Sequence, residues 1–215
     1  MNYARLYEYR FARVAQERRR SVWRTLAPAL MELLGNPRRL LDPAAGRLEF
    51  IGSAGAEERW GVDAVAHEDG AADAGVRVIV GDITAVELPD SYFDGIFVSN
   101  FLEHLPSQDA VAGFLEQMRS ALAPGGRILV MGPNFRFCAR RYFDFADHNV
   151  ILTERSVAEH LYAAGFELLV IRARFLPYSF TGRLPSHPAL VRAYLGLPLA
   201  WRLLGKQFVV VAQRP

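Results

Sequence analysis

The feature that most restricts the fold is an alternation. Short apolar runs recur along the chain with helical patterns between several of them, and the runs end in small or polar residues. Arg39-Leu40-Leu41-Asp42, Arg59 to Val65, Val76 to Val80, Phe93 to Ser99 and Arg127 to Met131 read as five strands. Gln108 to Leu122 is an amphipathic helix closed by Ala123-Pro124-Gly125-Gly126. Thr153 to Ala164 is another, with Thr153 as N-cap, Ser156 nearby and Gly165 at its end. Strands alternating with helices predict an α/β fold, a parallel sheet with helices on both faces. Phe166 to Phe175 and the β-branched Phe208 to Ala212 are expected to close the sheet as a hairpin-like edge.

Before the first strand, Tyr3 to Leu34 reads as a long helical stretch. Leu26, Leu30, Leu33 and Leu34 recur at helical spacing, and Gly35-Asn36-Pro37 stops it. The chain has 215 residues, 51% hydrophobic and 22% charged, which predicts one folded domain over 1–215. Residues 1–36 form an N-terminal helical extension of it, and 133–150 and 176–205 are insertions on the acceptor side. A net charge of +2 is too mild to indicate nucleic acid. Arg18-Arg19-Arg20 reads first as a solvated helix face and second as a phosphate or membrane contact. The one cysteine, Cys138, forms no intrachain disulfide and reads as a half-buried spectator rather than a reactive thiol. No Cys/His group has metal-ligand spacing, so no metal is expected. No signal core is visible, and no apolar run reaches the roughly 18 residues of a membrane span. The cytoplasm is the expected location.

Ligands of open α/β sheets bind at the carboxyl ends of the strands. Those ends carry Asp42-Pro43-Ala44-Ala45-Gly46, then Asp63-Ala64, Asp82-Ile83 and Ser99-Asn100-Phe101-Leu102-Glu103-His104. Three carboxylates on neighbouring strand ends suit a nucleoside. An acidic group about 20 residues past the first strand–helix turn grips a ribose diol, the place of Asp63. Asp82 can accept from an exocyclic amine of adenine. Taken singly, each Asp reads equally well as a helix cap.

The ordered set resembles the class I S-adenosylmethionine methyltransferases, especially the small bacterial enzymes often called methyltransferase type 11 or 12. The matching strings are Leu40-Leu41-Asp42-Pro43-Ala44-Ala45-Gly46, Gly61-Val62-Asp63 and Gly81-Asp82-Ile83. Phe93 through Leu105, then Leu122 to Val130, and Leu152-Thr153 through Phe166 complete them. The resemblance implies a Rossmann-like seven-stranded sheet of order 3-2-1-4-5-7-6 with the last strand antiparallel. S-adenosylmethionine is the implied cofactor and S-adenosylhomocysteine the product. Asp42, Ala44 and Gly46 would face the methionine moiety, Asp63 and Ala64 the ribose, and Asp82 and Ile83 the adenine. Ser99 and Asn100 would form the floor, and Phe101 would attract the sulfonium cation through its ring. The family's first loop carries three glycines; here only Gly46 remains, with Ala44 and Leu48 in the outer places. Leu48 is expected to crowd the amino-acid end, or the loop is displaced with Glu49 turned inward to meet the cofactor's ammonium.

The acceptor is expected at the segment after the fifth strand, which mixes aromatic, basic and acidic residues. Asn134, Arg136, Arg140, Arg141 and Tyr142 are the candidate acceptor contacts, with His104 and Tyr178 from elsewhere. The three arginines would suit a phosphorylated or carboxylated acceptor. His148 beside Asp147 is the candidate general base, with a pKa near neutrality suited to a hydroxyl acceptor; the alternative is that this pair caps the helix starting near Thr153. Residues 176–205 read as a lid, a dimer face or a helical pair packed on the sheet, and peripheral membrane contact stays open. Methyl transfer to an oxygen or nitrogen of a small molecule or glycan precursor is the expected function. A non-catalytic scaffold with the same fold is the alternative. A nicotinamide-dependent reductase fits the strand–helix pattern but lacks Gly-x-Gly-x-x-Gly after strand one.

Overall fold

The computed structural model describes residues 2–12, 16–65, 75–178 and 187–215. Seven strands form one sheet: β1 (Arg39–Asp42), β2 (Glu58–Asp63), β3 (Val76–Val80), β4 (Phe93–Ser99), β5 (Leu122–Pro133), β6 (Glu167–Arg172) and β7 (Gln207–Gln213). Their order is β3-β2-β1-β4-β5-β7-β6, as the resemblance implies. β1 to β5 pair in parallel, and β7 runs antiparallel to both β5 and β6.

The central strands are apolar on both faces, and successive residues go to opposite cores. Leu41, Ile96, Val98, Ile128, Val130, Phe208 and Val210 face one side, where α3 (Gln108–Ala121) and α5 (Glu154–Ala163) pack. Leu40, Phe97, Leu129, Met131, Val209 and Val211 face the other. There α2 (Gln16–Leu33) lays down Val22, Trp23, Leu26, Ala27 and Leu30. Each fully buried aliphatic or aromatic side chain contributes about 1.5–3 kcal/mol relative to exposure. The second half of the N-terminal stretch, from Val22 on, is thus part of the packed core. It is described as α1 (Tyr3–Phe11) and α2, with 13–15 outside the described residues.

Three boundaries differ from expectation. β2 stops at Asp63, and β6 is confined to Glu167–Arg172. β5 begins at Leu122, because Leu122 pairs with Phe93 before the register shifts and resumes at Arg127 opposite Gly95. The predicted Ala123–Gly126 turn is absorbed into that irregularity, with Gly125 at φ +76°. Thr153 does cap α5, in a reciprocal box with Ser156. Residues 187–204 hold a helical pair, α6 (Pro188–Leu195) and α7 (Pro198–Leu204). Val191, Tyr194, Leu195 and Trp201 pack against the α2 side of the sheet, and Leu199 and Leu203 face outward. Among the described residues, no helix is long and apolar enough to cross a membrane.

Candidate functional site

The carboxyl ends of β1, β4 and β5 surround a cavity of about 210 Å³. α1 and α2 close it from the other side. Its lining includes Asp42, Ala44, Gly46, Glu49, Ser99 and Asn100, and at the far end Glu103, His104, His148 and Tyr178. A larger cleft of about 710 Å³ opens at the opposite end of the sheet, around Pro37, Arg39, Asp94 and Arg127. That end is where strands begin, and its carboxylates are already paired, Arg39 with Asp94 at 2.6 Å and Arg38 with Glu57 at 2.7 Å. The carboxyl-end cavity is therefore the candidate site.

The first loop is built on Asp63. One carboxylate oxygen accepts from the Gly46 N–H at 2.8 Å and the other from the Val65 N–H at 2.9 Å. The loop is thereby stapled to the end of β2. Gly46 has φ +51°, as the turn requires. Leu48 also sits in the left-handed region, at φ +60°, where an L residue costs roughly 1–2 kcal/mol. Its side chain is buried beneath the loop with Ala45, Phe50 and Ile51, so the crowding expected of it at the cavity does not occur. Gly61 makes room for it: a Cβ there would lie 3.0 Å from Leu48 Cδ2.

Glu49 is buried and turned inward, where Arg19 from α2 meets it at 2.9 Å. Arg19 therefore leaves the solvated face expected of Arg18 to Arg20 and lines the cavity. Across the cavity Asp42 is 3% exposed, with one oxygen accepting from the Ala44 N–H at 3.3 Å. Burial pushes its carboxyl up to about 8, and the neighbouring charges of Asp63 and Glu49 add to that. Asn100 adopts φ +49°, which Asn tolerates, and its amide donates to Ser99 Oγ at 2.9 Å.

The outer strand ends carry Asp63, half-buried, then the exposed Ala64, the exposed Asp82 and the buried Ile83. Asp82 accepts from the Thr84 N–H and hydroxyl at 2.9 and 2.8 Å. Phe101 turns away from the cavity and packs on Phe114, 5.0 Å between centroids. Trp23, Phe50, Phe97, Phe145 and Tyr178 do line the cavity. Phe50 and Phe97 stack at 3.7 Å.

At the acceptor end the structure re-pairs the candidates. Asp147 and His148 do not cap α5, and they do not bond each other in the way their adjacency suggests. Asp147 faces His104: His104 Nδ1 lies 2.9 Å from the Asp147 carbonyl and 3.3 Å from its carboxylate. Arg10 of α1 caps the same carboxylate in a short ion pair. Burial alone would raise the Asp147 carboxyl, but Arg10 and His104 hold it below its ordinary value. His148 stacks on Phe145 at 5.0 Å, with its Nδ1 buried and without a partner. Burial, then the nearby His104, pulls the His148 imidazole down to about 4. It is neutral at neutral pH but far weaker as a base than the near-neutral value expected of it.

Most of the 133–150 candidates lie outside the cavity lining. Asn134 is buried behind it, donating to Glu154 at 2.6 Å and to the Ala173 carbonyl at 2.8 Å. Arg136 pairs with Glu154, and Arg141 with Asp144 at 3.3 Å; Arg140 is exposed. Tyr142 is buried, and its hydroxyl donates to the Val150 carbonyl. Tyr178 does reach the cavity, its hydroxyl anchored on the Arg141 carbonyl at 2.9 Å. The cationic groups at the site, Arg10 and Arg19, come instead from the N-terminal helices. Their arginine-rich sequence was a visible signal, but its direction was not.

Sheet order and the antiparallel β7 give the chain the Rossmann-like fold found in class I methyltransferases. The family model described as a methyltransferase domain matches residues 52–130. The chain is similar to a SAM-dependent methyltransferase from Archaeoglobus fulgidus, at TM-score 0.70 and 21% identity over 99% of this chain and 100% of that one. It is similar to a possible histamine N-methyltransferase from Thermotoga maritima, at TM-score 0.66 and 16% identity over 99% and 96%. It is also similar to the 1,6-didemethyltoxoflavin-N1-methyltransferase of Burkholderia thailandensis, solved with S-adenosylhomocysteine, at TM-score 0.60 and 21% identity over 99% and 88%. In sequence, 105 residues are 33% identical to part of a probable nonribosomal peptide synthetase, CymA, of Salinispora arenicola. That match covers 48% of this chain and 1% of the synthetase.

Proposed function

We propose that the protein is an S-adenosylmethionine-dependent methyltransferase acting on an oxygen or nitrogen of a small molecule or glycan precursor. The observation that carries this reading is the Arg19–Glu49 pair at the cavity wall beside the Asp42–Gly46 loop. The methionine end of the cofactor is a zwitterion. Glu49 suits its ammonium and Arg19 its carboxylate, each ion meeting the opposite member of a pair that is already in place. A cavity of about 210 Å³ takes the methionine end and the reacting methyl. The nucleoside then extends over the outer strand ends, with its ribose at Asp63 and Ala64 and its adenine between Asp82 and Ile83.

The reaction needs little covalent chemistry from the protein. The acceptor's lone pair would attack the methyl carbon as the carbon–sulfur bond breaks, leaving S-adenosylhomocysteine, and the acceptor's proton would pass to water. Position and exclusion of water do most of the work. Asp42 and Asn100 border the methyl donor. His104, held by Asp147, and His148 face the acceptor, with Tyr178 and Phe145 as its wall. With its imidazole near 4, His148 serves better to orient the nucleophile than to abstract a proton at neutral pH.

Calorimetric titration with S-adenosylhomocysteine and 5′-methylthioadenosine tests the reading. The second ligand keeps the nucleoside and lacks the amino-acid zwitterion. Glu49→Gln and Arg19→Gln should weaken S-adenosylhomocysteine at least about tenfold, the scale of one charge-assisted hydrogen bond, and leave methylthioadenosine unchanged. No binding of either ligand by folded, cofactor-free wild type would overturn the proposal in favour of a scaffold.

A further inference from the structure

We propose that Glu103, His104 and His148 hold a divalent transition-metal ion at the acceptor end of the cavity. One ligand atom from each lies within 4.8 Å of the others. Any three such atoms share a centre no more than about 2.8 Å away, against metal–nitrogen and metal–oxygen bonds of about 2.0–2.2 Å. Closing the set around an ion takes side-chain shifts of well under an ångström.

Three further features fit. His104 turns Nδ1 to Asp147, which leaves Nε2 facing Glu103, 4.0 Å from its Oε1. A carboxylate behind a histidine is the usual support of a metal-binding imidazole, fixing its tautomer and direction. His148 carries a buried ring nitrogen without a partner. Glu103 is 2% exposed and lines the cavity, and its own backbone N–H donates to its carboxylate. Its backbone carbonyl is fixed by the Asn149 and Val150 N–H groups, at 2.8 and 3.1 Å. Arg10, which pairs with Asp147, also acts on the Glu103 charge.

Two imidazoles and one carboxylate favour a first-row transition metal such as Fe²⁺, Co²⁺ or Zn²⁺ over Mg²⁺ or Ca²⁺. All three residues line the cavity, as does Asn100. An acceptor bearing neighbouring oxygens, such as a diol or hydroxy acid, would complete the coordination and present one oxygen to the methyl group. The ion-binding claim stands on the geometry alone; this use of it rests on the methyltransferase reading.

The test is titration of the full-length chain, stripped with chelator, with Co²⁺, read by visible absorption. Binding of one Co²⁺ per chain, displaced by Zn²⁺, is expected. His148→Ala and Glu103→Gln should each weaken it at least about tenfold, and Asp147→Asn, outside the ligand set, by about 10–100-fold. Circular dichroism and S-adenosylhomocysteine binding show which variants remain folded; His148→Ala, at the half-buried edge, is the one most certain to fold. S-adenosylhomocysteine binding without Co²⁺ uptake, or uptake that His148→Ala and Glu103→Gln leave unchanged, overturns the metal site and spares the methyltransferase reading. Co²⁺ uptake without S-adenosylhomocysteine binding does the reverse.

Discussion

Asp147 serves His104, 43 residues away in sequence, and not His148 beside it. The carboxylate sits 3.3 Å from His104 Nδ1 and is held from behind by Arg10. A helix at the very start of the chain thus reaches the acceptor end of the site through one ion pair. Asp147→Asn keeps the backbone carbonyl that His104 Nδ1 bonds and removes the charge that lies 3.3 Å from that ring and pairs with Arg10. Turnover should fall by about 10–100-fold, with S-adenosylhomocysteine affinity unchanged, once an acceptor is in hand. Equal losses in cofactor affinity and turnover would contradict that division of labour.

Asp42 sets a pH dependence whose sign is fixed. Its carboxyl titrates near 8 when folded, against an ordinary value of 3.8. Between those values the unfolded chain has lost a proton that the folded chain keeps. Folding stability attributable to Asp42 is therefore complete below about 4 and falls as pH rises to about 8, by at most about 1.4 kcal/mol per pH unit. Asp42→Asn should flatten stability over that window, as urea unfolding at pH 5, 6, 7 and 8 would read. An unchanged pH profile would show that Asp42 is ionised throughout.

Asp63 holds the first loop with two backbone hydrogen bonds before any ligand arrives. Asp63→Ala should cost about 1–3 kcal/mol, a fall in Tm of several degrees for a chain of this size. Asp63→Asn keeps one acceptor oxygen and should cost less. Loss of cofactor binding in Asp63→Ala alone therefore does not isolate a ribose contact; the comparison with Asp63→Asn does.

Cys138 is buried, its thiol donating to the Asn134 carbonyl at 3.0 Å, and burial pushes it up to about 12. Native protein at pH 8 should alkylate slowly, and denatured protein at once, by mass spectrometry of the iodoacetamide adduct. Rapid native labelling would mean that α4 (Phe135–Tyr142) opens.

Sequence patterns by themselves determined the strands and their burial on both faces, and the resemblance supplied the strand order. Strands apolar on every residue lie in the middle of a two-sided sandwich, and strand ends rich in Asp, Ser and Asn mark the carboxyl edge where the cavity lies. That is why Leu40 and Leu41, Phe97 and Val98 separate into two cores as their alternation requires. The inward turn of Glu49 was legible as one of two alternatives for a loop short of glycines. What tertiary structure decided was pairing and direction. Arg19 reads in sequence as one of three solvated arginines, yet the helix phase that buries Trp23 carries it to Glu49. Leu48 accepts a strained backbone because its side chain gains burial under the loop, a trade no local pattern reveals. Glu103, His104 and His148 converge only because the segment after β5 folds back over the end of β4. Spacing along a chain reports what one element can present; contact between elements follows from how they pack, and side-chain chemistry at this site arises from those contacts.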